Sequence, residues 1–547
     1  MSVSTQAQSP QHTDALVIGT GFAGIRAMIE MERLGLSAVA LEAGTDVGGT
    51  WYWNRYPGAR TDSQSWVYCL PFPELVEKWE WSQRYPPQPE VQRYLSFVTD
   101  HFELRPQIRF QQRVVAASYD ESANRWTVTT EDASQFTCTY LITALGPLSV
   151  PLDPQFKGMD DFQGETYNTG RWPREPVDFT GKRVAVIGTG SSGIQIIPLV
   201  AEAAEQLTVF QRTPNFVMPA QNYDLDDEMK AKLKAEFFKE WEKARNNVFG
   251  FALDPAGRNY DDVTEEERER IFEKGWQDGG FHFVFETFDD IVFDQRSNDA
   301  ASEFIRRKIR ETVKDPEVAE ILTPRDHPYV SKRPPSGTNY YETFNRDNVT
   351  LVDIKSDPIE ELTETGLRTR DNEFEFDVII FATGFDAVTG ALNNIDITGE
   401  GGVRLTDVWK HGAETTFSIG VPHFPNMFMF FGPQCSYANA PVVIESVATW
   451  LSAALQHIEA NGYDRVECTE ESTRKWTTLV EDIFSQTLLG AGEAAGSWYL
   501  GANVPGKPRR VLFYFGGSNS FDALLRENVE QGFDGFVFSR QPVDALR

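Results

Sequence analysis

The chain has 547 residues, more than a single hydrophobic core serves, so two or three domains are expected. Its formal charge of −30, from 51 basic and 81 acidic residues, argues against binding to nucleic acid or to an anionic membrane, both of which need a basic face. Cys69, Cys138, Cys435 and Cys468 are too scattered for a redox pair or a metal knuckle, and no apolar run is long enough to span a bilayer; the expectation is a metal-free cytoplasmic protein.

The opening residues, MSVSTQAQSPQHTD, are polar, lack an apolar signal core and read as a short disordered start. The stretch DALVIGTGFAGIRAMIEMERLGLSAVALEAG then reads as strand, tight turn, helix, strand. Ala15 to Ile18 form the apolar run of a strand buried on both faces. Gly19, Gly21 and Gly24 give G-x-G-x-x-G. The first glycine permits the turn, the second lets a pyrophosphate approach the backbone, and the third lets helix and strand pack closely. Free N–H groups at the helix start face the phosphates. Glu42, closing the second strand, can accept bonds from a ribose diol. This first site suits FAD. Just downstream, VGGTWYWNRYPGAR crowds Trp51, Tyr52 and Trp53 where a disulfide reductase would carry paired thiols. That removes a thiol relay and leaves aromatic walls suited to keeping water from a reactive flavin adduct.

The nucleotide pattern recurs in GKRVAVIGTGSSGIQIIPLVAEAAEQLTVFQRTPN, with Gly188, Gly190 and Gly193. Here the strand end carries Gln211, Arg212 and Thr213 and no acid. A carboxylate would repel a 2′-phosphate, whereas a guanidinium grips one with forked hydrogen bonds, so the second site reads as NADPH-binding. Two further apolar runs, TYLITALGPLS and FDVIIFATGFDA, each end in a small residue and glycine, as turns between two nucleotide folds do. Between them lies a polar helical insertion. One helix places Met229, Leu233, Phe237, Trp241, Ala244 and Val248 on a stripe, Thr264 and Glu267 form a capping box, and another helix runs through Phe304, Ile305, Ile309 and Val313. The fold expected is α/β, with two Rossmann-like dinucleotide-binding domains: FAD on 1–146 and 387–547, NADPH on 155–220 and 334–382, and the helical insertion on 221–333.

FQGETYNTGRWP, Phe162 to Pro173, resembles the F-x-G-x-x-x-H-x-x-x-W-P fingerprint of the type I Baeyer–Villiger monooxygenases. Phe162, Gly164, Trp172 and Pro173 match, while Asn168 stands at the histidine position and cannot titrate. GGTWYWNRYPG, KRP, NYYETFNR and GSWYLGANVPGK are similar to segments of the same family, so the resemblance runs from Asp14 nearly to the C-terminus. It implies an enzyme that reduces FAD with NADPH, adds O2 as a flavin C4a-peroxide, and inserts one oxygen atom next to a ketone carbonyl to give an ester or lactone.

The resemblance also implies residue roles. Arg333, in VSKRPPSG, matches the active-site arginine, a permanent cation for the peroxide anion. Lys332 matches a residue on the cofactor 2′-phosphate, Asp62 the acid that orients the arginine, and Trp498 a tryptophan on a loop closing over NADP+. The FAD contacts expected are Gly19, Gly21, Phe22, Ala23, Gly24, Glu42, Gly49, Thr50, Trp51, Asp62, Tyr68 and Val114. Those expected for NADPH are Gly188, Thr189, Gly190, Ser191, Ser192, Gly193, Gln195, Arg212, Thr213, Lys332, Arg333 and Trp498. GPQCSYANAP is expected to border the ketone pocket, with Cys435 lining it. Partners are a ketone and O2, with the chain a monomer or small homo-oligomer. Two other readings are weighed: a flavin monooxygenase acting on amines or sulfides, and a catalytically silent NADPH sensor on the same scaffold.

Overall fold

A computed structural model describes residues 11–540; most of the polar opening stretch therefore lies outside the described residues. The first strand begins earlier than its apolar run, at Gln11–Ile18, because residues as early as Gln11 pair with Phe136 and its neighbours. Residues 11–14, expected in the disordered start, therefore belong to the sheet.

Two sheets organise the chain, the first mixed around a parallel centre and the second wholly parallel. The first has eight strands. Gln11–Ile18 lies in its middle, parallel to Ala38–Glu42 on one side and to Gln135–Thr143 on the other. Ala15, Leu16 and Val17 are fully buried, as a strand covered on both faces must be. Val114–Asp120 and Arg125–Thr130 extend this sheet in antiparallel fashion. After a long excursion the chain returns to it with Asp396–Thr398 and Met427–Met429. The second sheet has five strands, all parallel, in the order Val349–Asp353, Gln206–Gln211, Arg183–Ile187, Val378–Phe381, Glu165–Asn168. These are the two Rossmann-like units of an α/β protein.

The fingerprint supplies the edge strand of the second sheet and the linker after it. A β-carbon on Gly164 would lie 2.6 Å from the Asp377 carbonyl, so the edge strand can pack there only without one. Trp172 is buried against Tyr167 and Phe179. Asn168 Oδ1 accepts from Gly170 N at 2.9 Å, so the residue at the histidine position caps a turn.

The helices between the sheets build their own aromatic core. Thr264 and Glu267 cap Glu265–Asp278 reciprocally. Phe272 and Phe283 pack on Phe304, a residue of the helix Gln295–Thr312, and Phe283 meets Tyr329, which in turn packs on Phe216. The stripe on Asp227–Asn246 is narrower than its spacing suggests. Phe237, Trp241 and Ala244 are buried, whereas Met229 and Val248 are 43% and 45% exposed, because they lie at or beyond the helix ends, past the surface that covers the middle. Among the described residues no helix is long and apolar enough to cross a membrane.

Candidate active site

The two glycine turns are built alike. Gly19 and Gly188 have φ of 99° and 110°, and β-carbons there would strike the carbonyls of Ala144 and Ala382 at 2.7 and 2.4 Å. β-Carbons on Gly24 and Gly193 would fall 1.9 and 2.2 Å from the carbonyls of Gly19 and Gly188. The helices that follow, Phe22–Arg33 and Ser191–Ala203, start at Gly21 and Gly190 with no side chain capping them, so their first N–H groups are free for an anion. Phe22 and Ala23 are buried in the first helix turn, and Ser191 and Ser192 open the second. This arrangement fits two dinucleotides.

At the first turn, Gly49 (φ 53°) comes up against Gly21, and a β-carbon on it would lie 2.8 Å from the Gly21 Cα. Thr50 and Trp51 begin the short helix that follows. Trp51 Nε1 donates to Tyr68 Oη at 3.2 Å, and the Tyr68 ring meets Phe22 edge-on. These three rings wall the turn. Tyr52 points elsewhere: its hydroxyl accepts from Thr45 N and from Arg174. Glu42 is buried and accepts from Thr20 N, Thr20 Oγ1 and Gly44 N at 3.0, 2.7 and 2.7 Å, which fixes the carboxylate at the strand end. Gln112 N bonds the Glu42 carbonyl, bringing the strand start at Val114 near this corner.

At the second turn, a β-carbon on Gly190 would meet open space. Gln211 is buried and tied to Ile321 O, and Thr189 Oγ1 donates to it at 3.3 Å. Arg212 is exposed, with Thr213 half-buried beside it. Neither Arg212 nor Lys332 forms an ion pair among the described residues. Burial, with repulsion from Arg212 behind it, pushes the Lys332 ammonium down to about 8 against the pull of Asp326. Two cations held this way, neither in a direct ion pair, fit a 2′-phosphate.

Arg333 stands between them and the first fold. Its Nη2 donates to Asp62 Oδ2 at 2.7 Å and its Nη1 to Tyr437 Oη at 3.0 Å. The guanidinium carbon lies 5.1 Å from the Phe281 ring centre. Asn215 Nδ2 holds the Arg333 carbonyl at 2.8 Å. Val330, a β-branched residue at φ 73°, makes the turn that presents this segment, a strained backbone of the kind found at binding sites. Burial opposes the charge on Arg333, but Asp62 and Tyr437 outweigh it and hold the guanidinium well above its ordinary range.

Three features of the site escape sequence reading. Gln195, expected at NADPH, has a role the sequence does not signal, an inter-unit tie: it accepts from Tyr56 Oη at 2.7 Å and donates to Arg60 O at 3.1 Å, and Gly58 (φ 86°) lets that loop touch its backbone. Tyr437 shares Arg333 with Asp62. Phe249, Phe251, Phe281 and Phe285 from the helical part stack on one another beside Arg333 and Tyr437. Cys435 differs from its expected place. It is fully buried in the core, its thiol pushed up to about 12 by burial, because its short strand Cys435–Ser436 pairs with Phe513–Tyr514 and turns it inward. Trp498 is half-buried against Tyr437 and Phe513, on a segment that Lys507 and Asn503 fasten to Asp386 and Phe385.

Residues 16–274 match the family model described as pyridine nucleotide-disulphide oxidoreductase. A Baeyer–Villiger monooxygenase of Pseudooceanicola batsensis is 43% identical over 96% of this chain and 96% of its own. A phenazine N-monooxygenase of Lysobacter antibioticus is 42% identical over 97% of this chain and 98% of its own. The solved structure of a cyclohexanone monooxygenase from Rhodococcus bound to NADP+ superposes with a TM-score of 0.95 at 40% identity, covering 97% of this chain and all of that one. These full-length relatives are enzymes, which sets the silent-sensor reading aside. The chain belongs to the Baeyer–Villiger monooxygenases, the FAD- and NADPH-dependent monooxygenase family.

Proposed function

We propose that the chain converts a ketone, O2, NADPH and a proton into an ester or lactone, NADP+ and water, and that Arg333 is the residue on which oxygen transfer depends. The observation that carries this is the guanidinium held at both terminal nitrogens by Asp62 and Tyr437, beside the two nucleotide turns. Bound FAD, once reduced, supplies the activation of dioxygen. The segments 1–146 and 387–547 hold it, with Gly21, Gly49, Trp51, Tyr68 and Glu42 around the first turn. The segments 155–220 and 334–382 hold NADPH, with Gly190, Ser191 and Ser192 on the pyrophosphate and Arg212, Thr213 and Lys332 on the 2′-phosphate.

The chain's own contribution is charge placement and exclusion of water. Arg333 cannot lose its proton at working pH, and two of its five donors are used by Asp62 and Tyr437. The others remain for an oxygen that becomes anionic during transfer, where a preorganised cation is worth about 10²–10³ in rate. Asp62 orients the cation, while Phe249, Phe281, Phe285 and Trp498 wall the reaction from solvent. The four free, buried thiols support a reducing cytoplasmic setting.

The relative named for phenazine N-oxygenation favours a second reading, oxygenation of a nitrogen, such as that of an aromatic ring, on the same site. Purified FAD-loaded protein with NADPH, offered cyclic, linear and aryl ketones, a thioether and a phenazine side by side, separates the two. Esters as the main product are expected. N-oxide with no ester from any ketone would replace the proposal by the second reading.

A further inference from the structure

The segment that carries Trp498 is joined to Arg333 by two phenols in series. Arg333 Nη1 donates to Tyr437 Oη at 3.0 Å, and Tyr499 Oη donates to the same oxygen at 2.9 Å. Tyr499 is fully buried, and burial holds its phenol well above its ordinary range, so it stays protonated and must donate. The Tyr437 ring packs on Trp498 and Tyr499, with centres 6.1 and 4.9 Å away. The same segment meets the nucleotide cations elsewhere. A β-carbon on Gly492 would lie 2.2 Å from the carbonyl of Ser331, the residue before Lys332, and one on Gly496 would lie 3.5 Å from Arg212 Nη2. One stretch of chain thus touches the backbone that presents Lys332 and Arg333, the exposed Arg212, and, through Tyr437, the guanidinium itself.

We propose that Tyr437 and Tyr499 are positioning residues that couple the seating of the 488–505 segment to the placement of Arg333. A planar guanidinium held at one terminal nitrogen by Asp62 can swing about that edge; a bond at the other terminal nitrogen removes the freedom. The second bond comes from Tyr437, and Tyr499 fixes Tyr437 only while its own segment is docked. The guanidinium therefore keeps the orientation seen here only while the segment is docked on Tyr437. This rests on the reading of Arg333 given above, but it concerns the chain's geometry and can be tested without turnover.

The test is backbone hydrogen exchange of peptides from 488–505 in FAD-loaded protein without NADPH, with FAD occupancy and melting temperature as folding controls. Tyr437→Phe and Tyr499→Phe each remove one hydroxyl and keep the ring. Each is expected to speed exchange about threefold to tenfold, the effect of one hydrogen bond. The double variant should be no faster than the faster single one, since the bonds act in series. Arg333→Lys should speed the same peptides in the native background and leave them unchanged in the Tyr437→Phe background. Additive effects of the two phenylalanines, or exchange unmoved by Arg333→Lys, would overturn the relay. Ester yield in the same Arg333→Lys sample is read separately. Lost yield with unmoved exchange sinks the relay and keeps the reading of Arg333. Native yield with faster exchange sinks that reading and keeps the relay.

Discussion

The two nucleotide turns share a backbone and differ in what surrounds it. Both pack their first glycine on an alanine carbonyl and their third on the first. Around the first turn, Gly49 closes on Gly21, three aromatic rings wall the helix start, and Glu42 already has three donors. Around the second, Gly190 faces open space, Arg212 is exposed and Lys332 forms no ion pair among the described residues. The first turn is closed in by the chain, and the second is left open to solvent. Where the two meet, Arg333 is fastened to Asp62 of the first unit, and its backbone neighbour Lys332 lies near Arg212 of the second.

Removing the shared cation should have the largest effect. Arg333→Ala is expected to keep FAD and lower ester formation about a hundredfold or more, measured as product per NADPH consumed. The asymmetry in charge predicts a cofactor-specific loss next. Arg212→Ala or Lys332→Ala should raise the KM for NADPH about tenfold to a hundredfold, as the loss of a charged hydrogen bond does, and leave the KM for NADH nearly unchanged. An equal loss for both cofactors would mean that these cations do not read the 2′-phosphate. The glycines then separate scaffold from site. Gly24→Ala must push a methyl into the Gly19 carbonyl and should lower stability by about 1–3 kcal/mol or more, seen in the melting temperature. Gly190→Ala meets no atom of the chain and should leave that temperature alone while weakening NADPH binding.

The smallest effect is a pH dependence. Lys332 sits at about 8, so it carries the charge that binds phosphate below that pH and loses it above. The KM for NADPH should be flat up to about pH 8 and climb beyond it. Bound phosphate raises the ammonium again, so the inflection in kcat should lie at higher pH than that in kcat/KM. Lys332→Arg, which does not titrate there, should abolish the climb.

The sequence made the local architecture legible because its signals are local. Apolar runs, glycine spacing and the Thr264–Glu267 cap involve residues close together in the chain, and each forms as read. The site is a different matter. Arg333 and Asp62 are 271 residues apart, and only the family resemblance brought them together. Tyr437 on Arg333, and Tyr56 on Gln195, join residues 104 and 139 apart, and no spacing signals them. Val330 gives no hint that it will adopt a positive φ, since valine is chosen against there. Cys435 failed for a related reason: which way a two-residue strand faces is set by its partner, Phe513–Tyr514, far along the chain.

The central claim, insertion of one atom of dioxygen beside a ketone carbonyl, is tested most directly by isotope. Turnover of a cyclic ketone with NADPH under ¹⁸O2 should give a lactone carrying a single heavy atom, located by fragmentation at the ring oxygen, with none acquired from labelled water. Label derived from water, or NADPH consumed to hydrogen peroxide alone with every ketone tried, would contradict it.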